Sequence, residues 1–235
     1  MPFDDLLDIL FEDNHCLAVN KPCGWPSAHY DGHEETVDRL VKSYLKEKYQ
    51  KTGNVFLGVV HRLDKPVSGV LMFARTSKGA ARLSEQFREN SIEKVYWAVV
   101  DRGGKNLPVF GTLEDWLRKD EDEHRVEVVD PDEIGAKQAV LHFRTIAEHD
   151  NLALLEVRPQ TGRTHQLRVQ LAHHGFPIHG DVKYGSRARF GHAIGLHARS
   201  LSFLHPVRYE PITLTAEIPK PWRGRFAHLL SREAK

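Results

Sequence analysis

Apolar and polar positions recur along the chain with two different periods, and each change of period marks an element. His15–Asn20 (HCLAVN) reads as a short strand that stops at Lys21-Pro22. Thr36 can cap a helix in which Val37, Leu40, Val41, Tyr44 and Leu45 share one face. Val55–Val60 reads as a buried strand and Gly69–Ala74 (GVLMFA) as another, with the polar loop His61–Ser68 between them. Ser77 can cap a second helix that turns Ala80, Leu83 and Phe87 inward. Lys94–Val100 sets Val95, Trp97 and Val99 against Tyr96, Ala98 and Val100, the pattern of a strand with two faces.

From about Val109 to Pro159 several β-type runs follow, separated by an acidic loop. Thr164–His174 reads as a helix capped by Thr164 and stopped by Gly175. Leu196–Leu204 and Ile212–Ile218 close the pattern as strands, with a short helix after Pro221. No repeat, low-complexity tract or linker divides the chain, so 1–235 is expected to form one α+β domain with many strands.

Composition narrows the class. Of 235 residues 40% are hydrophobic and 28% charged, the mixture of a globular protein rather than a disordered one. No apolar run approaches the roughly 20 residues of a membrane span. The start, MPFDDLLDILFED, is acidic where a secretory signal would be basic. Cys16 and Cys23 make neither a disulfide framework nor a Cys-x-x-Cys zinc site. These features predict a cytoplasmic protein, without a membrane partner. The formal charge is only +1, yet between Glu156 and Glu210 one acid, Asp181, faces eight lysines and arginines. Most of the balancing acid lies in Glu114–Glu133, so a basic face toward a polyanion is compatible with near-neutrality.

Three constellations could carry chemistry. In His61-Arg62-Leu63-Asp64-Lys65-Pro66, a carboxylate between two cations favours the ionised form that a nucleophile or base needs, although an ion pair that stabilises a turn uses the same residues. In Arg158-Pro-Gln-Thr-Gly-Arg163-Thr-His165-Gln166-Leu167-Arg168, a turn leads into a helix start that can hold an anion, either a phosphate or the Asp64 carboxylate. His173, His174, His179 and Asp181 invite a metal reading, but adjacent histidines diverge on a helix and no His-Glu-x-x-His spacing supports them, so no metal site is assigned. No phosphate-loop or dinucleotide glycine fingerprint occurs.

His61-Arg62-Leu63-Asp64 followed by Ser68-Gly69 and an apolar strand resembles the signature of the RluA-type RNA pseudouridine synthases. The likeness continues in order through Lys21-Pro22-Cys23-Gly24, Lys94-Val95-Tyr96-Trp97-Ala98, Thr161–Arg168, Gly175–Asp181 with Tyr184-Gly185, and Leu196-His197-Ala198 with His205-Pro206, about residues 15 to 218. Val67 departs from the threonine more usual there, and the chain reaches Lys21-Pro22 too soon to carry an N-terminal S4-type RNA-binding domain.

The resemblance implies the pseudouridine synthase core, an antiparallel-rich mixed sheet with flanking helices and a central cleft. It implies isomerisation of a uridine in ribosomal or transfer RNA with no cofactor, and a monomer is expected. Asp64 would be the essential carboxylate, Tyr96 would pack against the uracil, and Arg163 would pair with Asp64. Arg62, His61, Leu167, Arg168 and His165 are expected to bind substrate, and Arg187 and Arg189 to contact phosphates from a Gly-Ser-Arg-Ala-Arg loop. The competing readings are a catalytically silent RNA-binding protein of the same fold and a metal hydrolase built on residues 173–181.

Overall fold

The computed structural model describes residues 7–28, 35–120 and 125–231. Its strands are β1 (Asp8–Glu12), β2 (Cys16–Lys21), β3 (Gly58–Val59), β4 (Ser68–Ala74), β5 (Glu93–Asp101), β6 (Phe110–Asp120), β7 (Arg125–Val129), β8 (Lys137–His149), β9 (Leu152–Pro159), β10 (Leu196–Leu204) and β11 (Pro211–Thr215). The helices are α1 (Val37–Lys48), α2 (Ser77–Arg88), α3 (Gln166–His173), α4 (Lys220–Arg225) and α5 (Ala227–Leu230). This is the α+β class. None of the described helices is long and apolar enough to cross a membrane. The chain forms two compact units, one from Met1–Lys94 and Ala198–Ile218, the other from Val95–His197 and Pro219–Lys235.

In the first unit the strand order is β1-β2-β4-β10, with β3 on β4 and β11 on β10. β2 and β4 run antiparallel from Cys16↔Ala74 to Lys21↔Gly69. Every residue of β4 is buried, which is why its sequence is a continuous apolar run rather than an alternation. Cys16, Ala18, Val70, Met72 and Ala74 share a core with Leu83 of α2 and with Leu201, Phe203 and Leu214. Gly69 has φ +114°, and a Cβ there would lie 2.2 Å from the Ala198 carbonyl oxygen, so only glycine lets the two backbones approach this closely.

Three local expectations are corrected in this unit. The cap of α2 is Thr76, whose hydroxyl accepts from the Gly79 N–H at 3.1 Å, not Ser77. Thr36 does precede α1, but its hydroxyl donates to the Asp38 carboxylate instead of capping a backbone N–H. Val55–Val60 is not a buried strand: only Gly58 and Val59 pair, with Ala74 and Phe73, while Phe56 and Val59 are 51% and 41% exposed. An apolar run forms a strand only as far as a neighbour offers it free backbone groups.

The second unit is an antiparallel sheet in the order β5-β9-β8-β6-β7. Its centre is the fully buried Val99, Val100, Leu154 and Leu155 of β5 and β9. Val169 of α3 and Tyr184 pack with Leu117, Val126 and Ala139. α4 begins at Lys220, just ahead of Pro221, and buries Trp222, whose ring meets Phe226 edge-on at 5.4 Å. α3 begins later than the sequence suggests, because His165 precedes it in the left-handed region at φ +51° and Thr164 caps nothing. The acidic run from Glu114 to Glu133 covers the ends of β6 and β7. Its residues 121–124 lie outside the described ones, and Arg118 binds both Glu127 and Glu133.

Candidate active site

Asp64 sits in the loop that enters β4, and the first unit fixes this loop through backbone groups. Ser27, buried, donates its hydroxyl to the Leu63 carbonyl at 2.6 Å and accepts the Leu63 N–H at 3.0 Å. Lys21, also fully buried, donates to the carbonyls of Pro22 (3.0 Å), Trp25 (2.8 Å) and Lys65 (3.2 Å). Three ammonium protons thus meet three oxygens. The Gly24 N–H reaches the same Lys65 carbonyl at 2.8 Å, and the Val67 N–H closes a turn onto Asp64 at 3.0 Å. Burial pulls the Lys21 pKa down to about 7, while the negative charges available at Cys23 and Asp64 oppose that fall. The half-buried Asp64 carboxylate is therefore carried on a backbone clamped from both sides. An open hollow of about 330 Å³, lined by Gly24, Trp25, Pro26, Glu35 and Lys65, borders the loop.

His61 does not face solvent as a substrate ligand. Its Nε2 accepts the Met72 N–H at 2.9 Å and its ring stacks on Phe87 at 4.6 Å. Burial, reinforced by the Lys94 charge, pushes its pKa down to about 3, so the ring is neutral and serves β4. Arg62, by contrast, is exposed beside Asp64. Val67 is 2% exposed, a position where an apolar residue fits.

In the second unit Tyr96 lies on β5 opposite Val157 of β9 and is half-buried, while Trp97 beside it is buried. Arg163 is exposed at the end of a pinned turn. Its N–H donates to the Gln166 Oε1 at 3.0 Å and its Nε to the Gln138 carbonyl at 3.0 Å. Gln166 also accepts from the Thr161 hydroxyl at 2.8 Å and donates to the Val140 carbonyl at 3.1 Å. His165 meets the Tyr184 hydroxyl at 2.7 Å.

Two residues assigned to substrate turn out to be internal. Arg168 is 6% exposed and forks onto Asp181 through Nε (2.7 Å) and Nη2 (2.9 Å), with its guanidinium 5.0 Å from the centre of the Tyr184 ring. Leu167 is 7% exposed. Helix periodicity told where α3 is apolar but not that its arginine would be buried with a carboxylate thirteen residues on. Arg187 and Arg189 are exposed as expected. Lys21, Ser27 and Gln166 were not assigned as site residues. Lys21 and Gln166 lie in quoted motifs, the Lys-Pro-x-Gly segment and Thr161–Arg168, while Ser27 lies in none.

The histidine-rich run does not converge on a metal. His174 meets Asp115 at 3.1 Å, His179 meets Asp101 at 2.7 Å and Asp181 holds Arg168. Among the described residues, Asp13, Cys16 and His205 do gather closely enough for an ion. The Asp13 and His205 atoms are otherwise engaged, and the Cys16 thiol is buried. His205 Nδ1 accepts from the Val207 and Arg208 N–H groups, its Nε2 meets Asp13 at 2.7 Å, and burial and the Asp13 charge push the Cys16 thiol up to about 12. This donor set locks a turn.

The clamped loop thus presents the Asp64 carboxylate from a fixed backbone. Residues 15–173 match the family described as RNA pseudouridylate synthase. The tRNA pseudouridine synthase C of Pectobacterium carotovorum subsp. carotovorum is 34% identical over 93% of this chain and 61% of its own length. The ribosomal large subunit pseudouridine synthase D of Zymomonas mobilis subsp. mobilis is 35% identical over 97% of this chain and 74% of its own. A solved structure of human RNA pseudouridylate synthase domain containing 4 superposes with a TM-score of 0.77, at 25% identity, over 96% of this chain and 92% of that one. The family match and these relatives make the class that of an isomerase. The chain belongs to the RNA pseudouridylate synthase family.

Proposed function

We propose that this chain converts uridine to pseudouridine within ribosomal or transfer RNA, in the cytoplasm and as a monomer, with Asp64 as the essential carboxylate. The observation that carries the assignment is the loop around Asp64, held by Lys21 and Ser27 so that an acidic side chain is presented from a fixed backbone. The reaction breaks the N–C glycosidic bond, joins the same ribose carbon to C5 of the uracil, and moves the C5 proton away while N1 regains one. Atoms and electrons balance without an oxidant, a reductant or a transferred group. A carboxylate serves this chemistry as nucleophile on the ribose, as nucleophile on the base, or as a base at the ribose. Tyr96 and Arg163 are proposed as further residues of the reaction on the family resemblance. Extruding a base costs a few kcal/mol and leaves a gap in the RNA, which exposed Arg62 is suited to fill.

Asp64→Asn keeps the side-chain volume and removes the charge. It is expected to fold and bind RNA while forming no measurable pseudouridine, read by pseudouridine mapping of RNA incubated with each protein. Substantial turnover by the purified variant would remove Asp64 from the reaction. The same mapping in cells with and without the protein identifies the RNA, since the two bacterial relatives above are named for different RNA classes.

A further inference from the structure

We infer that Asp101 and Ser186 preset the loop bearing Arg187 and Arg189 as a grip for the phosphate backbone of RNA, and so act as positioning residues for substrate binding. This rests on the RNA reading above and adds to it two residues, Asp101 and Ser186, that no motif assigns. Asp101 closes β5, and its two carboxylate oxygens are used separately: Oδ1 meets His179 Nδ1 at 2.7 Å and Oδ2 accepts the Ser186 hydroxyl at 2.6 Å. Burial opposes the charge on Asp101, but those two hydrogen bonds together with the His179 charge outweigh it and hold the carboxyl below its ordinary pKa. The Ser186 oxygen in turn accepts the N–H groups of Gly180 (3.0 Å) and Ala188 (3.3 Å). One buried hydroxyl therefore ties together β5, the start of the loop and the residue between the two arginines.

The base beneath the loop is equally fixed. The His179 N–H donates to the Val99 carbonyl at 2.8 Å, and the His179 carbonyl accepts the Gly195 N–H at 2.7 Å. Gly180 has φ +84°, and a Cβ on it would lie 2.7 Å from the Phe190 Cβ, so the two ends of the loop touch. The single acid between His179 and Phe190, Asp181, is turned inward onto Arg168. The exposed charged side chains of the loop, Lys183, Arg187 and Arg189, are then all cationic. A connecting loop needs no half-buried carboxylate and buried hydroxyl to hold it. A loop that grips an anion gains from them, because backbone order set in advance reduces the entropy lost when two long side chains bind. Arginine forks match phosphate oxygens two at a time, and a repeating phosphate chain suits two arginines two residues apart.

The test is a salt titration of affinity for a labelled uridine-containing stem-loop RNA, using wild type, Ser186→Ala, Asp101→Asn and the Arg187→Gln/Arg189→Gln double variant. The double variant is expected to flatten the log–log salt slope by roughly one to two units, since each phosphate contact contributes about 0.7–0.9. Ser186→Ala and Asp101→Asn are each expected to weaken binding about 3- to 10-fold and flatten the slope by roughly one unit. Added to the arginine double variant, Ser186→Ala should cost no further affinity. A purely structural serine would lower the melting temperature, leave the slope unchanged, and add its cost in full to the double variant, and that pattern overturns the inference. Asp101→Asn keeps the residue's shape and supplies the folded comparison if Ser186→Ala is unstable. Wild type that fails to bind RNA with any salt dependence defeats the RNA reading itself. Wild type that binds, with all variants superimposed on it, defeats only the positioning role.

Discussion

His61 looks like a ligand in the sequence and behaves as a backbone acceptor in the fold. Its Nε2 takes the Met72 N–H, and burial with the Lys94 charge holds its pKa at about 3 against an ordinary 6.5. The folded chain keeps the ring neutral where the unfolded chain protonates it. A depressed pKa contributes stability that is complete above about 6.5 and is lost as pH falls through that window toward 3. His61→Gln retains an acceptor without the titration. It is expected to cost about 1 kcal/mol at neutral pH and to flatten the decline between pH 6 and 4, measured by urea unfolding across that range. Parallel wild-type and variant curves would show that another group governs the window. Arg168 teaches the same lesson at the same scale: residue type and spacing show that a side chain can bind an anion, not whether that anion is Asp181 or a phosphate.

At the scale of elements, the His61–Ser68 loop owes its shape to segments far away in sequence. Lys21 at the end of β2 holds the carbonyls of Pro22, Trp25 and Lys65, and Ser27 holds both backbone groups of Leu63. Lys21→Met removes a donor from three part-buried carbonyls, of which that of Lys65 keeps the Gly24 N–H, so those of Pro22 and Trp25 are left short, each able to cost on the order of 1 kcal/mol. The expected result is about 2–3 kcal/mol less stability, with turnover at saturating RNA falling more than RNA affinity, because the loop carrying Asp64 loosens. Equal losses in both would make Lys21 a general stabiliser. Strands and helices themselves were largely readable. β4, β5 and β10 follow their apolar patterns closely because both of their faces or one whole face is buried. The sequence pattern does not mark β1 and overextends the strand at Val55–Val60, since edge pairing depends on a neighbour that no local window contains.

For the molecule as a whole, a formal charge of +1 hides how the basic residues are used. The stretch after Glu156 reads as one cationic surface, yet its members are divided among partners. Arg158 pairs with Glu156, Arg168 with Asp181, Arg208 with Asp13 and Glu210, and Arg199 donates to the Ala216 carbonyl. Arg199 and Arg208 also belong to the first compact unit, the remainder to the second. Arg168→Met is therefore expected to lower stability by about 3–5 kcal/mol, the cost of leaving a buried carboxylate alone, without changing the salt slope of RNA binding. Replacing Asp181 by Leu in the same protein should recover part of that loss. Urea midpoints and salt titrations check the two halves, and a flattened slope in the folded variant would return Arg168 to the phosphate-binding set.

The sequence by itself determined the class of fold, the order of most elements and the identity of the carboxylate loop. These are local properties: a run such as GVLMFA has one stable environment, and His61–Ser68 breaks it with charges that cannot be buried unpaired. Tertiary structure alone decided which polar side chains turn inward. Lys21, His61, Gln166, Arg168, Asp101 and Ser186 are all polar, and a chain that folds back on itself can satisfy some of them internally and leave others for a ligand. Their partners lie between 1 and 85 residues away. No pattern along the chain encodes such distances, because a hydrogen bond depends on where two atoms meet in space.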